Sequence, residues 1–398
     1  MAQAIQANKS NSINYPGIGV LSIAHILNDM YSNYLPALLP FLALSLGINA
    51  TKAAILVSVF SMTSYFVQPF FGYFLDRQGV RWFVHVGTLW MAILLSLTGL
   101  INSFPLLVII VGLAGLGTAA FHPQASTMVS VISGDKKAVL LSFFVACGNI
   151  GFALSLLIFP PFFKNFGLES TIYTVLPGLI VAILLYFFAP EADSLKGNSS
   201  KLKDVFRSIS LASKKLLLII SVISIRTLAY FGLLTIFPLY FSSKTLLISW
   251  NNLMFIMLFC GAIGGIIGGY LSDRFGRKRL IASSLILTTP LLFGFLYTSG
   301  VTSTILLALA GASLLSSFSV TIVAAQEAIP DNKSLAAGIS MGFSVGLGSL
   351  AIIPIGRIGD LYGLSTAIII LFSLPIIAGL LALFMENNPS ASSERAAN

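Results

Sequence analysis

Charge is scarce in this chain: Asp, Glu, Lys and Arg make up 9% of its 398 residues, against 57% apolar residues and a mean hydropathy of +0.95. That leaves too little polar surface to cover a soluble globule, so the solvent for most of the chain is a bilayer. Cysteine is nearly absent. Cys147 and Cys260 fall inside apolar stretches in opposite halves, which excludes a disulfide framework and points to buried thiols. No Gly-x-x-x-x-Gly-Lys-Ser/Thr phosphate loop and no His-Glu-x-x-His pair occurs, so direct ATP-driven pumping and zinc-peptidase chemistry both lack their motif. Residues 1–16 hold Lys9 as their only charge and no apolar core; they read as a cytoplasmic tail and not as a cleaved secretion signal.

What the chain does have is long apolar runs broken by short polar loops. A helix needs about 20 residues to cross a bilayer. Twelve such stretches are legible, at 17–46, 52–75, 81–101, 104–132, 137–163, 170–189, 216–242, 249–272, 279–299, 302–329, 334–357 and 363–385. Most of the 22 lysines and arginines then fall on one side if both termini are cytoplasmic. The exceptions are Lys52, Lys164, Lys244 and Arg357 on the other face and Arg226 within a span. The net charge of +9 is therefore mostly topology and does not indicate nucleic acid.

The segment Gly72-Tyr-Phe-Leu-Asp76-Arg77-Gln-Gly79-Val-Arg81 returns 197 residues later as Gly269-Tyr-Leu-Ser-Asp273-Arg274-Phe-Gly276-Arg277-Lys278. Asp135, Lys137, Gly167 and Leu168 likewise match Asp331, Lys333, Gly363 and Leu364 at a shift of 196. The expected organisation is a tail at 1–16, a six-helix bundle at 17–189, a basic cytoplasmic linker at 190–215, a second six-helix bundle at 216–385 and a cytoplasmic tail at 386–398. The linker is either a solvated loop or a short helix on an anionic leaflet.

An all-α membrane protein of twelve transmembrane helices in two pseudo-symmetric six-helix bundles, with this loop motif between spans two and three, resembles the major facilitator superfamily over nearly its whole length. The resemblance implies a substrate site near mid-bilayer between rocking halves. It also implies a gating role for Gly72, Asp76, Arg77, Gly79, Arg81, Gly269, Asp273, Arg274, Gly276, Arg277 and Lys278. A carboxylate beside arginines at a helix end forms ion pairs that stabilise one conformation, and the glycines permit a tight turn. A well-capped loop with positive-inside charges is the plainer alternative.

Two narrower segments, His25-Ile-Leu-Asn28-Asp29 and Gly115-Leu-Gly117-Thr-Ala-Ala-Phe121-His122-Pro123-Gln124, resemble the fosmidomycin-resistance branch of that superfamily. The likeness implies export of a small, anionic, phosphonate-like compound in exchange for protons. One departure stands against antiport: Ser155-Leu156 occupies the place where drug/proton antiporters of the superfamily usually carry Gly-Pro. Pro160 and Pro161 supply an alternative bend further along span five.

The residues point to the same place. His25, Asn28 and Asp29 have i, i+3 and i+4 spacing and share a helix face. Asp29 lies about 12 residues into its span, roughly 18 Å deep at 1.5 Å per residue, where a charge is costly unless paired or hydrated. Adding the repeat shift to Asp29 leads to Arg226, so the two are expected at equivalent sites on spans one and seven. They pair across the cleft, form static ion pairs, or never meet. Asp29, His25 and Glu327 are candidate proton carriers; Arg226, Asn28, His122, Gln124 and Asn149 are candidate substrate contacts. Glu327, near Pro330, serves equally as a gate residue. The run from Gly261 to Gly269 presents small residues at i and i+4 and reads as helix packing.

The sequence therefore predicts a secondary transporter, not an enzyme, without cofactor or resident metal. It is expected as a monomer in a bacterial inner membrane, moving a small molecule outward against protons. A proton-coupled uptake carrier shares every feature except direction. Metal transport through His25, Asp29 and His122 is a further variant, and an intramembrane metal enzyme a remote one.

Overall fold

The computed structural model describes residues 13–68, 70–71, 81–190, 213–242, 244, 248–328 and 339–386. Among these the chain is helical, without strands. The helices are α1 (Tyr15–Ser32), α2 (Tyr34–Leu46), α3 (Ala50–Ser61), α4 (Trp82–Ser96), α5 (Phe104–Ile132), α6 (Lys137–Phe166) and α7 (Val175–Phe188), then α8 (Ser213–Phe241), α9 (Trp250–Phe275), α10 (Arg277–Tyr297), α11 (Gly300–Ala328), α12 (Ser344–Leu350), α13 (Ile352–Tyr362) and α14 (Leu364–Ala382). Ten helical segments among the described residues are long and apolar enough to cross a bilayer.

Expected spans one, two and eleven are each interrupted within their length. Span one breaks at Asn33 into α1 and α2. The break is satisfied by side chains: Asn33 Nδ2 donates to the Phe152 carbonyl at 2.9 Å, and the Asn33 carbonyl accepts from Ser155 Oγ at 2.9 Å. Ser155, the departure from the expected Gly-Pro, thus serves a backbone carbonyl at a helix interruption, as an irregular backbone inside a membrane requires. Span two is α3 followed by a π-turn over Met62–Phe66.

Local signals account for the helix ends. Asn14 caps α1 by accepting from Gly17 N at 3.0 Å, and Asn49 caps α3 by accepting from Lys52 N at 2.9 Å. Gly167 and Gly363, matched in sequence at a shift of 196, share one conformation, with φ of 79° and 90°. A side chain there would be strained, which is why glycine ends the preceding helix in both halves.

The chain forms two compact units. One comprises residues 1–35 and 67–199, the other 36–66 and 200–398. In the first, α1 packs on α5, α6 and α7, while α4 packs on α5 and α7. Tyr31, Tyr34, Phe159 and Phe163 form an aromatic core, with Tyr34 edge-on to Phe159 at 4.8 Å between ring centres. In the second, α9 lies along α11, α8 contacts α12 and α14, and α3 packs on α13. The glycine run works as helix packing: a methyl on Gly264 would overlap the Ala312 backbone, and one on Gly268 the Ser316 backbone. Residues 36–66, which the sequence repeat places in the first half, are part of the second compact unit.

Candidate functional site

In the first unit, α1 carries His25, Asn28 and Asp29 into the interior, all three buried. From α5, His122 joins them. Asp29 Oδ2 lies 3.4 Å from His25 Nε2, and Asp29 Oδ1 lies 3.3 Å from His122 Nε2. One carboxylate is therefore bracketed by two imidazoles. The His122 side chain keeps 22% of its exposure, against 8% for His25 and 12% for Asp29, so His122 is the most accessible member of the cluster.

The tautomer of His25 follows from its other nitrogen. Nδ1 sits 2.7 Å from the Phe144 carbonyl, and a carbonyl can only accept, so Nδ1 carries the hydrogen. In neutral His25, Nε2 is then a bare lone pair facing a carboxylate oxygen. Two acceptors repel at that distance, and a proton between them, on either group, removes the repulsion. The arrangement is a buried place for one extra proton. The Phe144 ring holds the imidazole in position, stacked with ring centres 4.1 Å apart and an interplanar angle of 22°.

Room for the cluster comes from Gly148 on α6. A methyl there would lie 2.6 Å from His25 Nε2 and closer still to Asp29 Oδ2. Gly148→Ala is expected to displace the carboxylate and reduce the initial transport rate at least about tenfold, at a stability cost of about 1–3 kcal/mol for overpacking. Transport and thermal unfolding of the same preparation check this; a folded variant with an unchanged rate contradicts the placement.

Asn28 belongs to the same face but looks elsewhere, donating to Thr88 Oγ1 at 2.8 Å, which in turn donates to the Val84 carbonyl. Its Oδ1 is buried without a hydrogen-bond partner among the described residues. Ser32 extends the stripe, donating to the Asn28 carbonyl at 3.0 Å. Gln124 is fully buried on α5, whereas Asn149 is exposed on α6.

The same three donors, one nitrogen from each histidine and an Asp29 oxygen, lie within 4.8 Å of one another and could hold a divalent cation. The His25 Nδ1 bond to the Phe144 carbonyl is also the kind of contact that fixes the ring orientation of a metal-binding histidine.

In the second unit, Arg226 on α8 is 2% exposed. Nη1 donates to Thr321 Oγ1 at 3.1 Å, and the guanidinium carbon lies 4.7 Å above the Phe318 ring. Among the described residues of that unit no carboxylate pairs with it; those carboxylate pairs are Lys215–Glu386, Arg277–Asp273 and Arg277–Glu327. A buried cation held by a hydroxyl and an aromatic face, with no carboxylate beside it, favours the approach of an anion. Asp29 and Arg226 fall in different units, and each is engaged by residues of its own.

Glu327 joins the loop charges: Arg277 Nε lies 3.3 Å from Glu327 Oε1, and Arg277 Nη1 bridges Asp273 and Ser272 Oγ. Gly276 makes the turn between α9 and α10 at φ 92°, and Arg274 lies against Phe275. Gly269 and Lys278 flank this turn on α9 and α10. In the first copy of the motif, Arg81 donates to the Tyr186 carbonyl at 2.6 Å, while Gly72, Asp76, Arg77 and Gly79 lie outside the described residues.

Sequence reasoning did not single out Phe144, Thr88, Phe318 or Thr321. Thr321 lies six residues before Glu327 on the same helix, but nothing in its neighbours marks it as the partner of an arginine on α8.

The profile of the Major Facilitator Superfamily matches residues 21–350. The chain is 30% identical over 391 residues, 96% of its own length and 95% of the other, to an uncharacterised transporter of that type from Bacillus subtilis. It is 28% identical over 378 residues, 93% of each chain, to the fosmidomycin resistance protein of Escherichia coli. Among solved structures, a nucleoside transporter superposes with a TM-score of 0.74 at 13% identity, covering 93% of this chain and 99% of that one. A peptide transporter in complex with sulfate superposes with a TM-score of 0.76 at 11% identity, covering 92% and 93%. These match the all-helical architecture and its apolar spans, and the chain belongs to the major facilitator superfamily as a multi-pass membrane transporter of small molecules.

Proposed function

We propose that the chain exports a small anionic compound across a bacterial inner membrane in exchange for protons. The observation that carries this reading is the His25–Asp29–His122 cluster, where the Nδ1 bond to Phe144 leaves Nε2 facing a carboxylate across a gap that one proton closes. Buried ionisable groups inside a membrane are costly and mark ion or proton pathways. Arg226 supplies the anion anchor: a desolvated guanidinium without a carboxylate partner in its unit recognises phosphonate or carboxylate oxygens in a planar, bidentate way. The outward direction draws on the fosmidomycin resistance relative. The lysine and arginine bias supports termini in the cytoplasm; in this reading the protein acts as a monomer and the Arg277–Asp273–Glu327 group gates the cytoplasmic side.

The test is proton flux in inside-out vesicles loaded with acid, with fosmidomycin as the first compound of a screen. Antiport predicts that the added compound drains protons from the lumen. Proton flow in the same direction as the compound identifies an uptake carrier, and the absence of proton flow for every transported compound overturns the coupling.

A second reading is transition-metal cargo, favoured by the spacing of the cluster itself. Separations of 3.3 and 3.4 Å between nitrogen and oxygen are long for hydrogen bonds and suit two ligands about 2 Å from one ion. Stoichiometric zinc in the purified protein, lost in Asp29→Asn and His122→Ala, would replace the proton reading by this one.

A further inference from the structure

In the first unit, the apolar spans Trp82–Leu100 and Phe143–Phe166 stop, and Leu168–Phe188 starts, at the end away from Arg81. Hydrocarbon gives way to lipid headgroups at such an end. A cavity of about 730 Å³ opens there, within the size range of small-molecule sites. Leu100, Phe162, Phe166, Tyr173 and Leu176 are among its walls, and Glu169 is its one charged member.

The 3₁₀ segment Leu168–Thr174, which carries Glu169 and Tyr173, is fixed from its inner side. Thr171 and Thr174 are buried: Thr171 Oγ1 accepts from Gly99 N at 3.1 Å, Thr174 Oγ1 donates to the Thr171 carbonyl at 2.6 Å, and the Thr174 carbonyl accepts from Tyr31. A methyl on Gly99 would overlap the Leu168 carbonyl, so the backbone beyond α4 lies directly against this segment. With the threonines turned inward, Glu169 and Tyr173 are left exposed on a backbone that needs little further ordering to bind a ligand.

Three features favour a cation on an apolar body. Glu169 has no ion-pair partner among the described residues. α6 ends at Phe166, which brings its last carbonyls and the negative end of its dipole to the cavity. Phe166 and Tyr173, 70% and 63% exposed, supply aromatic rings for a cation to lie against. An anionic headgroup is repelled by Glu169, and an inorganic cation gains nothing from the apolar walls. We propose that the cavity binds the ammonium of a zwitterionic phospholipid of the phosphatidylethanolamine class, with Glu169 as its counter-ion and Phe166 and Tyr173 around it. Lys164, exposed between Phe162 and Phe166 in the last turn of α6, suits the phosphate of the same molecule. Leu176, Leu179, Ile180 and Ile183 continue an exposed apolar face along α7 for an acyl chain. The site is separate from the His25–Asp29–His122 cluster and does not depend on the transport reading.

The experiment uses the full chain in detergent, with native mass spectrometry counting the lipid it retains from equal amounts of phosphatidylethanolamine and phosphatidylglycerol of the same acyl chains. The parent is expected to favour phosphatidylethanolamine about tenfold, and Glu169→Gln to bring the ratio within about twofold of equality, the scale of losing a charge-assisted contact. Tyr173→Leu keeps the apolar surface and is expected to fall between the two. Phosphatidylethanolamine with a photoreactive group at the top of its acyl chain is expected to label residues 162–176. Equal retention of the two lipids by the parent, an unchanged preference in Glu169→Gln, or labelling confined to other segments overturns the proposal. Displacement of the lipid by an equal concentration of free ethanolamine also overturns it, since the cavity would then take a soluble cation. If Glu169→Gln does not fold, Tyr173→Leu and the labelled segment decide by the same criteria.

Discussion

Asp29→Asn is expected to abolish proton-driven transport while leaving exchange of the compound between the two sides intact. Asparagine keeps the shape and one oxygen acceptor but cannot exchange a proton with His25. The loss in gradient-driven rate is expected at roughly a hundredfold, the kinetic equivalent of about 2.7 kcal/mol for charge-assisted contacts to two imidazoles. Exchange at equal pH is expected within about threefold of the parent, since the anion anchor in the other unit is untouched. Parallel measurement of both modes in one vesicle preparation separates a coupling residue from a structural one. Equal loss in both modes would mean that Asp29 mainly supports the packing of α1 against α5 and α6.

Substitution of Arg226 should strike binding. Arg226→Lys keeps the charge but loses the fork that reaches Thr321 and the planar face on Phe318, and a rise in KM for an anionic compound of about tenfold is expected. Arg226→Ala removes the charge as well, and about a hundredfold is expected, with Thr321→Val near the lysine value. Stability should move in the opposite direction. A desolvated guanidinium without a carboxylate partner in its unit is costly to bury, so Arg226→Met is expected to raise the thermal unfolding temperature of the ligand-free protein. An arginine that only locks packing would give the reverse, a destabilised methionine variant with little change in KM. Transport of a neutral compound with undiminished KM in Arg226→Ala would remove the anchor from the mechanism.

Much of the architecture was legible because bilayer thickness and helical rise leave few alternatives: ten long helices follow the apolar runs, and Gly167 and Gly363, matched as part of the repeat, share one conformation. The candidate site was legible only along a single helix. His25 and Asp29 meet because i, i+4 residues always share a face, whereas His122 was reached through family likeness. The carbonyl of Phe144, the space at Gly148 and the hydroxyl of Thr321 come from helices packed against the one being read, and local periodicity carries no record of that register. Asp360, whose carboxylate accepts from Ala50 N and Thr51 N at the start of α3, was invisible for the same reason.

The central claim is that His25 is held as the Nδ1–H tautomer so that Nε2 and Asp29 share a proton. Three histidines in the whole chain make nitrogen NMR of histidine-labelled protein tractable, with His25→Gln and His122→Gln for assignment. Two results are predicted together: a His25 Nδ1 that remains protonated at every pH, and an Nε2 signal that titrates and changes in Asp29→Asn. A neutral His25 carrying its hydrogen on Nε2, or an Nε2 signal indifferent to Asp29→Asn, would contradict the account.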